Sequence, residues 1–214
     1  MPTTIAIHNQ KGGVGKTTPA FTLGSGFAHH GYRVLLADPD TLGNVADSLG
    51  IPHNDDPRRL LSADHCQHLV QVITHSEQKR LDVIRSDESA AALKQTLEGL
   101  TFRGYIPADA LEAADHDLIL LDCAPSVDLL HFAALVAADY LLIPTRLDKL
   151  KVNGDRDALK SPVSHQRFTR CQLAGILPAL YECLTVESHA QLIHLAQTFG
   201  RLVLPLYSRT PSAG

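Results

Sequence analysis

The chain has 214 residues, of which 44% are hydrophobic and 20% charged, and its formal net charge is −4. This is the composition of one globular domain with a sizeable core, and it argues against a protein coated in basic surface for nucleic acid. No apolar run approaches the roughly 18 residues of a membrane helix, since Asp139 interrupts residues 133–144.

The start, Met1-Pro2-Thr3-Thr4-Ile5, lacks a basic leader before an apolar stretch, so a cytoplasmic protein is expected. Cys66, Cys123, Cys171 and Cys183 show no C-x-x-C spacing and read as buried thiols. His65-Cys66-Gln67-His68 has metal-ligand residue types but no second ligand pair, and it reads as a solvated helix face.

Residues 3–9 are β-branched and apolar, as a buried first strand requires. Lys11-Gly12-Gly13-Val14-Gly15-Lys16-Thr17-Thr18 follows at once, and residues 19–30 read as a helix. The combination makes a phosphate cradle. Glycines leave main-chain N–H groups open to an anion, the helix aims its N-terminal dipole there, Lys16 reaches the β/γ-phosphates and Thr17 offers its hydroxyl to Mg²⁺. Pro19 is tolerated if the helix starts near residue 15 or 16, because its missing N–H then has no intrahelical partner to lose.

A strand over 33–37 leads to Asp38-Pro39-Asp40-Thr41-Leu42-Gly43-Asn44 at the sheet edge where ligands bind. Residues 51–104 are the least readable: a loop near Pro52 and Pro57, a helix over 69–73, a strand over 81–84 and a helix over 90–100. A short helix is expected over 107–114, with Pro107 near its first position. Residues 116–122 form the clearest buried strand, four aliphatic residues ending in Asp122, which is a Walker B arrangement for holding a Mg²⁺-bound water. A helix over 129–136, strands over 140–144 and 173–177, a helix over 186–199 and a last strand over 201–206 continue the alternation, and 207–214 is a short polar tail. The pattern predicts a single domain over 1–214, an α/β fold with a doubly wound, mostly parallel sheet covered by helices on both faces.

Residues 146–170 carry seven cations (Arg146, Lys149, Lys151, Arg156, Lys160, Arg167 and Arg170) against three acids, a local +4 that leaves −8 for the rest. Clustered Lys and Arg suffice for phosphate contacts, so this segment is the candidate DNA surface; a solvated helix face is the plainer reading.

An ordinary P-loop has glycine where this chain has Gln10, and the extra Lys11 ahead of the glycines resembles the deviant Walker A motif of ParA/MinD ATPases. The Asp38–Asn44 segment resembles the family's second signature, with Leu42 at a usual glutamine position. Asp122-Cys123-Ala124-Pro125-Ser126 is similar to its switch, with Ala124 in place of a proline. The resemblance implies a P-loop NTPase domain that hydrolyses ATP with Mg²⁺, slowly when alone. It implies that Lys11 reaches the partner's phosphates in an ATP-dependent homodimer, that Asp38 holds the metal's water shell and that Asp40 orients the attacking water. It also implies non-specific DNA binding, a ParB-like stimulating partner, nucleoid association in the ATP-bound state, and a role in partition of plasmid or chromosome DNA. The alternatives are a MinD-like or protein-compartment positioning ATPase, and a scaffold without useful turnover. The membrane-cycling version needs an amphipathic C-terminal helix, which Pro205 and Pro211 oppose, so no membrane partner is expected. An iron–sulfur carrier of related fold needs paired cysteines, and Cys123 alone lies near the motifs. No Asn-Lys-x-Asp guanine motif is present.

Overall fold

Aliphatic runs with no polar alternation can only be strands covered on both faces, and the fold supplies that cover. The structure is a computed structural model that describes residues 1–37, 73–75, 78–84, 106–112, 114–125, 129–147, 169–179 and 186–205. Its strands are β1 (Thr3–Ile7), β2 (Val34–Ala37), β3 (Ile73–His75), β4 (Leu81–Ile84), β5 (Leu118–Asp122), β6 (Tyr140–Arg146) and β7 (Gln172–Ala179). They form one sheet in the order β3-β4-β2-β5-β1-β6-β7, parallel throughout except for β3 against β4. The described helices are α1 (Thr17–His29), α2 (Ile106–Glu112), α3 (Leu129–Ala137) and α4 (Val186–Phe199).

Side-chain alternation sorts the strands onto two cores. Val34 and Leu36 of β2, with Leu118 and Leu120 of β5, pack with Ala20, Leu23, Phe27 and Ala28 of α1. Leu35, Ala37, Ile119 and Leu121 face the other way and meet Leu111 of α2 and Ala134 and Leu135 of α3. A third cluster of Leu147, Ile176 and Leu195 seats α4 against the β7 edge. At the end of the sheet opposite the phosphate loop, Arg33 donates its backbone N–H to Asp117 Oδ2 at 2.8 Å. Its guanidinium binds Asp115 at 2.6 Å and Asp117 at 2.9 Å, and this pairing holds the Asp117 carboxyl down at about 2.

The expected doubly wound architecture is present, and Pro19 sits buried in the first turn of α1. Two readings are corrected. Residues 201–205 do not form the expected strand: Gly200–Leu202 is a 3₁₀ turn, and among the described residues only Val203 bridges to Ile176, with Leu206 outside the described set. Ile73, read as a helix end, opens β3, because the antiparallel ladder to Ile84 satisfies its backbone; residues 69–72 lie outside the described set, as does the helix expected over 90–100. Cys123 and Cys171 are buried thiols, as expected, and burial pushes the Cys171 thiol up to about 11.

β7 carries one extra residue, Ala174, opposite Leu141 and Leu142 of β6, and the next residue, Gly175, lies against the C-terminal turn. A Cβ there would lie 2.9 Å from both the Leu202 carbonyl oxygen and Leu204 Cγ, whereas one at Gly26, on the exposed side of α1, would meet nothing within 4 Å. Gly175→Ala is therefore expected to destabilise the fold by about 1–3 kcal/mol. Gly26→Ala should stabilise it by about 0.5–1 kcal/mol. Urea unfolding of the two variants checks the opposite signs.

Candidate functional site

β1 leaves the sheet at Ile7, and the chain passes through His8, Asn9 and the loop into α1. Gly13 and Gly15 have φ of 70° and 77°, where a Cβ crowds the backbone, so both positions call for glycine. Val14 between them is 1% exposed and pins the loop to the core. A Cβ added at Gly12 or Gly13 would meet nothing within 4 Å, so the outer side of the loop is open. The first-turn N–H groups of α1 have no partner within the helix, and its dipole adds roughly half a positive charge at Thr17. No acidic residue lies between Gln10 and Thr18, while Lys11 and Lys16 do. This is a cradle for an anion the size of a phosphate chain.

Lys16 turns back across the loop, its Nζ donating to the Lys11 carbonyl at 3.3 Å. Thr17 is half-buried at the helix start and Thr18 exposed. β5 brings the carboxylate. Ile7 of β1 is the register partner of Asp122, and Cys123 donates its N–H to the Ile7 carbonyl at 3.0 Å, so Asp122 arrives level with the start of the loop. Alternation puts Asp122 on the face of Leu118 and Leu120, the one α1 covers, and Cys123 on the opposite face. Asp122 is 4% exposed. A buried carboxylate at the sheet edge, level with the start of an anion cradle, fits a magnesium ion that keeps most of its waters. No group of three His, Cys, Asp or Glu side chains among the described residues could make a metal cage of protein ligands alone.

Three polar residues beneath the loop escaped the sequence reading. Asn9 is buried: its Oδ1 accepts the Lys11 N–H at 2.9 Å, and its Nδ2 donates to the Pro144 carbonyl at 2.8 Å. His8 and His131 are also buried, with ring centroids 3.8 Å apart at 40°. The available signal was a polar His8-Asn9 pair closing an apolar strand, which periodicity alone counts as strand end.

Asp38 and Asp40 lie outside the described residues; β2 ends at Ala37, the register partner of Leu121, so the chain enters their segment from the edge where Asp122 sits. Of the DNA-surface candidates, Lys149, Lys151, Arg156, Lys160 and Arg167 lie outside the described residues. Arg170 is exposed and ion-paired, 3.0 Å from Glu112 and 3.6 Å from Asp139. Both acids fall outside the window 146–170, so its local charge is lower in space than along the chain. Among the described residues no helix is long and apolar enough to cross a membrane.

A phosphate cradle after the first strand of a doubly wound parallel sheet, with an aspartate emerging from the neighbouring strand, defines a P-loop nucleoside-triphosphatase fold. A cobyrinic acid a,c-diamide synthase from Mycobacterium smegmatis, solved with bound ADP and magnesium, superposes with a TM-score of 0.83 at 28% identity, covering 98% of this chain and 86% of that one. A family profile described as an AAA domain matches residues 2–168. The chromosome partitioning protein ParA of Caulobacter vibrioides is 33% identical over 187 residues, 83% of this chain and 69% of that protein. The chain belongs to the ParA/MinD family of ATPases. It also matches an uncharacterised protein of Mycobacterium tuberculosis at 32% identity over 206 residues, and spans 64% of that relative's length.

Burial pushes the His8 imidazole down to about 3, helped by the neighbouring His131 and Lys16, so the ring is neutral in the fold. An unfolded chain takes up that proton once pH drops below about 6.5, so this group's contribution to stability is intact above pH 6.5 and is lost as pH falls toward 3. The loss approaches about 1.4 kcal/mol per pH unit for one proton. Denaturant midpoints measured between pH 6.5 and 5 should fall less steeply for His8→Leu than for the wild type; an unchanged slope would show that His8 is already solvated.

Proposed function

We propose that this chain is a ParA-type ATPase that binds ATP with Mg²⁺, hydrolyses it slowly alone, and uses the nucleotide to control dimerisation and DNA binding in plasmid or chromosome partition. The observation that carries the reading is the open cradle of residues 11–18, set level with Asp122 at the sheet edge. Backbone amides from Gly12 to Thr18, with the Lys16 ammonium, hold the phosphates. Thr17, Asp38 and Asp122 serve the magnesium shell, and Asp40 orients the attacking water. Bound magnesium neutralises charge on the β- and γ-phosphates. Lys11, exposed at the head of the loop, stabilises phosphate charge across the homodimer. One domain over 1–214 carries these steps, and the ATP-bound dimer associates with the nucleoid until a ParB-like partner stimulates turnover.

Lys149, Lys151, Arg156, Lys160, Arg167 and Arg170 form the proposed DNA surface, doubled by dimerisation so that a weak monomer becomes a useful dimer. The pairing of Arg170 with Glu112 and Asp139 favours the second reading, a positioning ATPase or scaffold whose cargo is not DNA, because phosphate would have to displace those carboxylates.

Light scattering with ADP and with a slowly hydrolysed ATP analogue tests the switch. The wild type should dimerise only with the analogue, Lys11→Ala should dimerise at least about tenfold more weakly while still binding nucleotide, and Lys16→Ala should lose roughly 10- to 100-fold in nucleotide affinity. Binding of the dimer to arbitrary duplex DNA should fall roughly 100-fold between 50 and 200 mM salt if about four phosphates are neutralised. A dimer that ignores DNA at both concentrations would transfer the reading to a non-DNA cargo.

A further inference from the structure

We infer that Asn9 is a positioning residue that fixes the Lys11 peptide and thereby sets the range of the Lys11 side chain. This rests on the ATPase reading above for what Lys11 does, and on geometry alone for what Asn9 does. Its side chain has two hydrogen-bonding ends, and both are used. Oδ1 takes the Lys11 N–H at 2.9 Å, and Nδ2 gives its proton to the carbonyl of Pro144 at 2.8 Å, 135 positions away in sequence. The residue is 3% exposed, so neither bond has easy access to replacement by water, and loss of either leaves a buried polar group unsatisfied.

The Lys11 peptide is held from both sides. Asn9 binds its N–H, and the Lys16 ammonium binds its carbonyl at 3.3 Å. Lys16 must be able to move onto a phosphate, so its bond is one that ligand chemistry can exchange. Asn9 is buried and both ends of its amide are engaged by backbone, which makes its bond the permanent one. Through Pro144 it borrows the rigidity of β6, whose neighbouring residue Leu142 accepts the His8 N–H at 3.1 Å. The first residue of the loop is therefore referenced to the strand on one side of β1, while Asp122 is referenced to the strand on the other. Lys11 has a flexible stem of four methylenes, and a long side chain reaches a target on another molecule reproducibly only if its backbone origin is fixed.

The experiment combines hydrogen exchange at the Lys11 amide with a double-mutant cycle between Asn9→Ala and Lys11→Ala. Asn9→Asp keeps the acceptor for Lys11 and loses the donor for Pro144. The Lys11 amide should be protected in the wild type and in Asn9→Asp and exchange at least about tenfold faster in Asn9→Ala; equal protection in Asn9→Ala would overturn the inference whatever Lys11 does. In the cycle, Asn9→Ala should weaken analogue-driven dimerisation about tenfold with nucleotide affinity changed less than about threefold, and it should add nothing to Lys11→Ala. Additive losses, or a loss of nucleotide affinity equal to the loss of dimer, would also overturn it. If Lys11→Ala dimerises normally, the dimer role assigned to Lys11 fails, and the exchange measurement still decides for or against Asn9.

Discussion

Everything at the site hangs on β1 lying between two parallel partners, β5 on one side and β6 on the other. Parallel pairing makes all three strands finish at the same edge, and register sets how far each one projects. Ile7 matches Asp122 on one flank and Leu142 on the other, so β1 and β5 end level with each other while β6 runs on past them to Arg146. An acidic group, a loop rich in N–H donors and a carbonyl anchor at Pro144 are brought together by backbone hydrogen bonds before any side chain acts. Shifting β5 by one residue would turn Asp122 to the α2 and α3 face and leave the cradle without its carboxylate. The aliphatic β5 run, 0–6% exposed from Leu118 to Leu121, fixes that register by its burial.

Electrostatics then divides the edge into a wet upper side and a dry lower side. Above, Lys11, Gly12 and Gly13 are exposed; below, Val14, His8, Asn9 and Asp122 are all within 4% of complete burial. Asn9 fits the lower side by using both ends of its amide. His8 fits by staying neutral, because burial beside His131 and Lys16 disfavours its charged form. A charged imidazole under the loop would add to the positive field that the helix terminus and two lysines already create, at the cost of burying an ion. Burial therefore keeps the cation count at the cradle to the two residues whose side chains reach solvent.

The six parallel strands and the loop were legible in the sequence because their signals are local. A run such as Leu118-Ile119-Leu120-Leu121 can only be a covered strand, and Gly13 and Gly15 take the left-handed angles that their spacing ahead of Lys16 implied. The C-terminal turn was not legible, since Arg201 to Leu206 has strand composition but, among the described residues, meets β7 through a single bridge at Val203. Its end is set by how closely Leu202 and Leu204 approach Gly175, a tertiary contact without a sequence pattern. The same holds for Arg170, whose partners Glu112 and Asp139 come from two other parts of the chain. Asn9 is the intermediate case: its identity was in view at the end of the first strand, but its use depends on Pro144, far away in sequence and adjacent only in the sheet.

A deviant lysine at the head of a phosphate loop needs more support than an ordinary one. Lys16 is placed by the helix that begins beside it, and rigid secondary structure fixes its backbone. Lys11 stands six residues before α1 and four after β1, where neither element can hold it. A loop peptide in that position would sample a wide arc, and a four-methylene side chain would enlarge it. Binding its N–H to a buried amide that is itself tied to β6 removes that freedom at the folding step rather than at the moment of association. Ordering costs met in the folded monomer would not recur on forming the proposed dimer. The buried Asn9 bridge and the exposed Lys11 side chain thus form one device: a rigid origin below and a mobile cation above.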